Sequence, residues 1–259
     1  MSEEHAAHSP LAQFEVIPLH SNPIHVLGYD VSFTNAALWM VLTVVAIVAF
    51  LLPASRKLSL VPNRLQSSAE ILVDFIDDTL KEVAGKEALP YFSFIFTLFI
   101  FILFCNLMGM IPSSFAVTSH IIVTFAMAAF VFVGVTLVAI LKNGPVKFLK
   151  FFLPEGTPWW IAWLVIPIEL VSYLARPASL SIRLAANMTA GHITLKVLAT
   201  LVVTFGILGD GLVSNILGGG GMFTLLFLLT AFEFGIAIIQ AYIFTLLACV
   251  YLNDALHLH

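Results

Sequence analysis

Three stretches of this chain run for about 20 residues without one charged side chain, the length at which a helix can cross a bilayer's hydrocarbon core. They are Phe33–Leu52, Tyr91–Met110 and Ser119–Leu141. Two longer apolar tracts follow, Trp159–Leu208 with Glu169, Arg176, Arg183 and Lys196 in it, and Phe223–Leu252 with Glu233. Composition agrees: 60% of the residues are hydrophobic and 10% charged, with a mean hydropathy of +1.04. A soluble domain carries about 25% charged residues. None of the runs alternates apolar and polar positions as a membrane barrel strand must. The fold expected is an all-α polytopic membrane protein. It has about five transmembrane helices and one amphipathic surface helix, and the last two membrane helices are long and steeply tilted.

The same composition excludes several functions. The net charge of −4 sits in the connections, and no basic face with interleaved aromatics marks a nucleic-acid surface. Cys105 and Cys249 lie in separate apolar runs and read as buried thiols rather than a disulfide or metal site. His5, His8, His20, His25, His257 and His259 near the ends have no metal-like setting. The first thirty residues lack a basic start followed by an apolar core, so no secretory signal is expected. No Gly-rich phosphate loop and no nucleophile-and-base pair stands out. The chain is expected to hold no cofactor and to catalyse nothing alone.

Residues 1–32 form a polar, acidic N-terminal segment, and 33–52 the first membrane helix, stopped by Pro53. The inner connection, 53–90, contains Leu65, Ala69, Leu72, Phe75, Ile76, Leu80 and Val83 at helical spacing. Glu70, Asp74, Asp77, Asp78 and Lys81 take the other side. That pattern is an amphipathic helix on the membrane surface or against partner chains. A transmembrane hairpin follows over 91–141, then an inner basic loop, 142–158. Two long helices occupy 159–252, separated by the glycines at 218–221, and 253–259 is a C-terminal tail. The Arg56–Lys86 and Lys142–Lys150 connections hold basic residues, whereas the N-terminal segment and Ile111–Thr118 hold none. The positive-inside rule therefore puts the N-terminus outside and the C-terminus inside.

The fourth tract is too long for one perpendicular span and contains Pro167 and Pro177. Either it breaks, or it runs strongly tilted against a protein that covers its polar face. Along one helical line it carries Ser172, Arg176, Ser179, Arg183, Asn187, Ala190 and Thr194. Glu169 lies on the same line. Arginine keeps its proton under ordinary conditions, and a charge at bilayer depth costs at least ~2.5–3.5 kcal/mol. Such a charge points to an ion or proton pathway. His192, nine residues beyond Arg183, falls on the opposite side of the helix. In the last tract Glu233 and Gln240 share a face. If the two helices pack antiparallel, Gln240 approaches Arg183 and Glu233 lies toward His192. A histidine and a carboxyl at this depth are natural proton relay groups. Asn106, His120 and Thr124 extend a candidate polar path to the outer surface. The plainer alternatives are a structural ion pair of Arg183 with Glu169 or Glu233, a satisfied His192–Glu233 hydrogen bond, and polar packing at Asn106, His120 and Asn187.

The segment Ser179-Leu-Ser-Ile-Arg183-Leu-Ala-Ala-Asn187-Met188-Thr-Ala-Gly191-His192 resembles the signature of the subunit a family of F-type ATP synthases. Asn106-Leu-Met-Gly-Met-Ile-Pro112, Pro167-Ile-Glu169-Leu and Glu233 through Gln240-Ala-Tyr-Ile-Phe244 match the same family in order. Together they cover most of the chain from Phe94 to Leu252.

The resemblance implies a stator beside a ring of c subunits, held by peripheral-stalk b subunits and acting indirectly on the catalytic head. Protons would enter by an outer half-channel, neutralise a ring carboxyl, and leave by an inner one after nearly a full turn. By resemblance Arg183 is the essential arginine, His192 and Glu233 belong to the outer half-channel, and Glu169 lies near the inner one. Asn187 and Gln240, with Ser179 and Arg176, neighbour the arginine. Many bacterial members carry the acid where this chain has His192 and the histidine where it has Glu233. The exchanged pair resembles mitochondrial and mitochondrion-like bacterial forms. Basic loops and a polar start favour a bacterial plasma membrane over the mitochondrial inner membrane. Protons are favoured over Na⁺, because no oxygen-rich cation cage is evident. The competing expectation is a self-contained cation channel or proton-coupled transporter that uses Arg183 and Glu169 as an internal pair.

Overall fold

The computed structural model describes residues 15–19, 25–26, 29–30, 32–56, 61–111, 114–153, 158–206 and 220–257. The expectations for His5, His8, His20 and His259, and for Gly218 and Gly219 of the glycine link, lie outside these residues. Helices dominate: α1 Asn35–Arg56, α2 Arg64–Ala84, α3 Phe92–Gly109, α4 Ile121–Asn143, the short α5 Pro145–Phe151, α6 Trp159–Gly206 and α7 Gly221–Leu256. Short 3₁₀ turns at Lys86–Tyr91 and Val117–Ser119 precede α3 and α4. A two-residue ladder pairs His25–Val26 with Tyr29–Asp30. Among the described residues five helices are long and apolar enough to cross a membrane. The chain is an all-α, multi-pass membrane protein.

Helix ends follow local chemistry. The Asn35 amide accepts from the backbone N–H of Ala36 at 2.8 Å and of Ile17 at 3.1 Å. It also donates to Glu15 O at 3.0 Å, so one side chain starts α1 and stitches the preceding segment across its mouth. Asn63 caps α2 by accepting from Arg64 N at 2.8 Å. Gly85, at φ +75, ends it in a conformation that side chains disfavour and donates to Lys81 O. On its exposed side Lys81 pairs with Asp77 one turn back.

The core is built around α3, whose Ile95, Phe99, Ile102 and Asn106 are enclosed. Phe244 and Leu252 of α7, Leu180 and Leu184 of α6, and Ile76 and Leu80 of α2 complete it. Helix α2 docks its inner face on this chain's own α7 and α1. Ala69, Ile76 and Leu80 are covered, whereas Leu65 and Phe75 of the same apolar stripe remain exposed. The stripe is wider than the contact.

Helix α6 is unbroken over 48 residues with Pro167 and Pro177 inside it, which removes the first of the two options for this tract. At 1.5 Å rise it extends roughly 72 Å, more than twice the ~30 Å hydrocarbon thickness. Only a strongly inclined path keeps it within the membrane. α7, at 36 residues, packs along it. Leu180, Leu184 and Met188 turn α6 into the core, while Ser179, Ile182, Arg183 and Ala190 are exposed among the described residues.

Candidate functional site

Two contacts fix how α6 and α7 run past each other. Near one end, Arg176 Nη1 of α6 meets Asp254 Oδ2 of α7 at 2.9 Å. Farther along, Glu233 presses on Gly191: a Cβ at that glycine would lie 2.8 Å from Glu233 Oε1 and 3.0 Å from its Cδ. Residue numbers rise on one helix as they fall on the other, so the pair is antiparallel. Interpolation between these points puts Asn187 about level with Gln240, and Arg183 about level with Phe244.

Two of the cavities along the same helices share lining residues. The larger, about 710 Å³, opens beside the stitched segment and is lined by Glu15, Asn35, Trp39, Ser114, Lys196 and Thr230, among others. The smaller, about 200 Å³, is lined by Asn187, Gly191, Glu233 and Phe232. Met110 and His192 line both. His192 thus stands at their junction, beside the end of α3: a Cβ at Gly109 would be in ordinary contact with its Nε2, at 3.8 Å. An imidazole and a carboxyl that line one cavity are groups able to relay protons.

The other polar residues divide. Arg183 is exposed on the uncovered face of α6 and lines neither cavity. Among the described residues the ion pairs are Lys81–Asp77, Lys142–Glu87 and Arg176–Asp254. Arg183 therefore pairs with neither Glu169 nor Glu233, and the structural ion pair weighed from the sequence is not formed. Arg176, which looks equivalent in sequence, is engaged: besides Asp254, its guanidinium lies over the rings of Tyr173 and Tyr251 at 5.5 and 5.2 Å. Glu169 is half-buried farther along the Arg183 line, and Ser179 is exposed on it.

Asn106, His120 and Thr124 line neither cavity. Asn106 Nδ2 donates to Ala237 O of α7 at 3.1 Å, a contact that ties α3 to α7. Thr124 spends its hydroxyl on its own helix, at Ile121 O, 3.1 Å away. His120 stacks on Phe115 with centroids 4.8 Å apart. Thr189 Oγ1 donates to Ser119 O at 3.2 Å, fastening the neighbouring turn to α6. Asn106 Oδ1, Thr118 Oγ1, Ser119 Oγ, His120 Nε2 and Gln240 Nε2 are buried without a hydrogen-bond partner among the described residues. Buried polar atoms are normally satisfied, often by water.

Sequence reasoning missed Gly191's contact, and it missed Glu15, Asn35, Ser114 and Thr230 as cavity walls. Lys196 carried a signal, one turn after His192 on the same face. The others have none, because partners distant in sequence set their position.

The comparisons with known proteins bear on what this site belongs to. The family model described as ATP synthase A chain matches residues 37–253. The chain is 51% identical over 251 residues to the ATP synthase subunit a of Parvibaculum lavamentivorans, covering 96% of this chain and 93% of that protein. It is 48% identical over 252 residues to the ATP synthase subunit a of Rhodospirillum rubrum, covering 97% of this chain and all of the relative. A match of this length and identity leaves one assignment: the chain belongs to the subunit a family of F-type ATP synthases.

Proposed function

We propose that this chain is the proton-conducting stator of a rotary F-type ATP synthase, in which two half-channels are kept apart by Arg183. One observation carries the reading. The cavities that meet at His192 stop short of Arg183, and that arginine faces outward without an ion pair among the described residues.

The larger cavity is the inlet from the outer side, and His192 and Glu233 take protons from it toward Asn187. The buried polar atoms of Asn106, Gln240 and the Thr118–His120 turn are sites where ordered water would flank this route. Ser179 and Ala190 are small, which allows a foreign helix to approach the Arg183 face closely. The occupant of that face is the ring of c subunits, with b subunits and lipid elsewhere and the catalytic head reached through them. A ring carboxyl must be neutral in lipid and ionised beside the stator. The fixed cation Arg183 favours the ionised form, and arginine cannot itself relay a proton between the half-channels. Glu169, on the same helical line, serves the exit on the inner side. Membrane potential supplies about 2.3 kcal/mol per charge per 100 mV, so several protons must be added through rotation. The chain's location in this reading is a bacterial plasma membrane, with its basic connections inside.

The test is passive proton conduction in vesicles stripped of the catalytic head. Glu233→Gln keeps the shape of the side chain and removes its ability to give up a proton. Conduction should fall roughly 10²-fold, the usual worth of a positioned acid–base group. Wild-type conduction in that variant would remove Glu233 from the path and the smaller cavity with it.

A further inference from the structure

We propose that Arg176 is a positioning residue: its latch to α7 holds α6 at the rotation and register that present Arg183 outward. The inference rests on the stator reading above. Arg176 precedes Arg183 by seven residues, two helical turns, and so lies on nearly the same line. Yet its guanidinium is partly buried and engaged with α7. It donates to Asp254 Oδ2 at 2.9 Å in the last turn of α7 and sits over the rings of Tyr173 and Tyr251.

The receiving end is tied to its neighbours. Tyr173 hydrogen-bonds Thr136 of α4 at 2.7 Å and meets Phe148 and Phe152 edge-on at 6.1 and 5.6 Å. Asn143, closing α4, donates to Ala255 O at 2.8 Å, beside Asp254. The space left in this cluster is about 20 Å³, room for a water and little more. A guanidinium that swings away gives up the ion pair and both ring contacts together.

Position along the helix turns this contact into a positioning device. Arg183 stands about 10 Å beyond the Arg176 latch and about 12 Å before the Gly191–Glu233 contact, at 1.5 Å rise per residue. Between these points the outward face of α6 is exposed among the described residues, and a helix that slips by one residue turns by about 100°. Two clamps, one on each side, fix both rotation and register at Arg183. Lysine would keep the charge at 176 but lose the flat surface that lies over the two tyrosines.

The experiment uses the complete synthase in inverted membrane vesicles, with Arg176→Gln, Arg176→Lys, Asp254→Asn and the exchange of Arg176→Asp with Asp254→Arg. Three quantities are read: amount of assembled complex, ATP hydrolysis, and protons pumped per ATP hydrolysed. Loss of a purely structural pair lowers the amount of complex and leaves protons per ATP unchanged. Loss of positioning lowers protons per ATP, by about 5-fold or more in Arg176→Gln and Asp254→Asn, with Arg176→Lys milder. The exchange should restore the ratio in part, because it rebuilds the ion pair without the guanidinium at 176 over the two tyrosines. An unchanged ratio in every variant that assembles, or an exchange that restores nothing, overturns the proposal. Wild type and Glu233→Gln are run alongside: if Glu233→Gln pumps like wild type, the stator reading fails before the latch is judged.

Discussion

Arg183→Ala should leave the complex assembled and ATP hydrolysis measurable, but abolish ATP-driven proton uptake. Assembly should survive because the substitution breaks nothing within this chain. Arg183 is exposed and has no ion-pair partner among the described residues, so no buried charge is orphaned. Surface changes of that kind alter stability by within about 0.5 kcal/mol. Coupling should be lost because the fixed cation is what separates the half-channels. Without it, a neutral ring carboxyl passes the stator in either direction, and passive proton leak through the membrane sector should rise. Arg183→Lys should fail as well, because a lysine in a dry setting gives up its proton far more readily than arginine. The measurements are fluorescence quenching of a pH-sensitive dye in inverted vesicles and leak after removal of the catalytic head. Normal pumping in Arg183→Ala would contradict the proposal.

Gly191→Val should be nearly as damaging, through geometry alone. Even a Cβ at 191 falls 2.8 Å from Glu233 Oε1, inside van der Waals contact. The atom met is the tip of a flexible side chain, so alanine is accommodated by turning the carboxyl aside. Valine adds two methyl groups to the 200 Å³ cavity, whose walls include His192 and Asn187. Misplacing a reacting group by about 1 Å can cost 10²-fold in rate. We expect Gly191→Ala to lower pumping about 10-fold and Gly191→Val about 10²-fold or more on that scale, both with normal amounts of complex. Shortening the acid with Glu233→Asp should relieve part of the alanine effect. Equal pumping in Gly191→Val and wild type would show that the Gly191–Glu233 contact does not constrain the route.

Much of this was legible in the chain, for a physical reason. Apolar runs of membrane-spanning length announce helices, because a bilayer leaves the backbone no other open-ended way to satisfy itself. Helical periodicity likewise placed Glu169, Arg176 and Arg183 on one line and His192 opposite, and the unbroken α6 realises that line. Periodicity says which residues share a face and not what covers the face. Arg176 and Arg183 therefore read alike, and only Asp254, 78 residues away, separates a latched arginine from an open one. The α2 stripe had the same ambiguity, since it marks an apolar side without naming α7 and α1 as its cover. Cavities are less legible still. The wall formed by Glu15, Asn35, Lys196 and Thr230 joins four distant parts of the chain, and Asn106, His120 and Thr124, polar enough to suggest a lining, stand behind it.

The most direct measurement is which side of the membrane reaches each half of the path. In a background with Cys105 and Cys249 replaced by alanine, single cysteines at Thr230, in the wall of the larger cavity, and at Glu169 would be treated with a membrane-impermeant thiol reagent. Sealed vesicles of both orientations are needed. Thr230→Cys should react only from the N-terminal side and Glu169→Cys only from the opposite side. Reaction of both from one side, or of either from both, would contradict two half-channels held apart at Arg183.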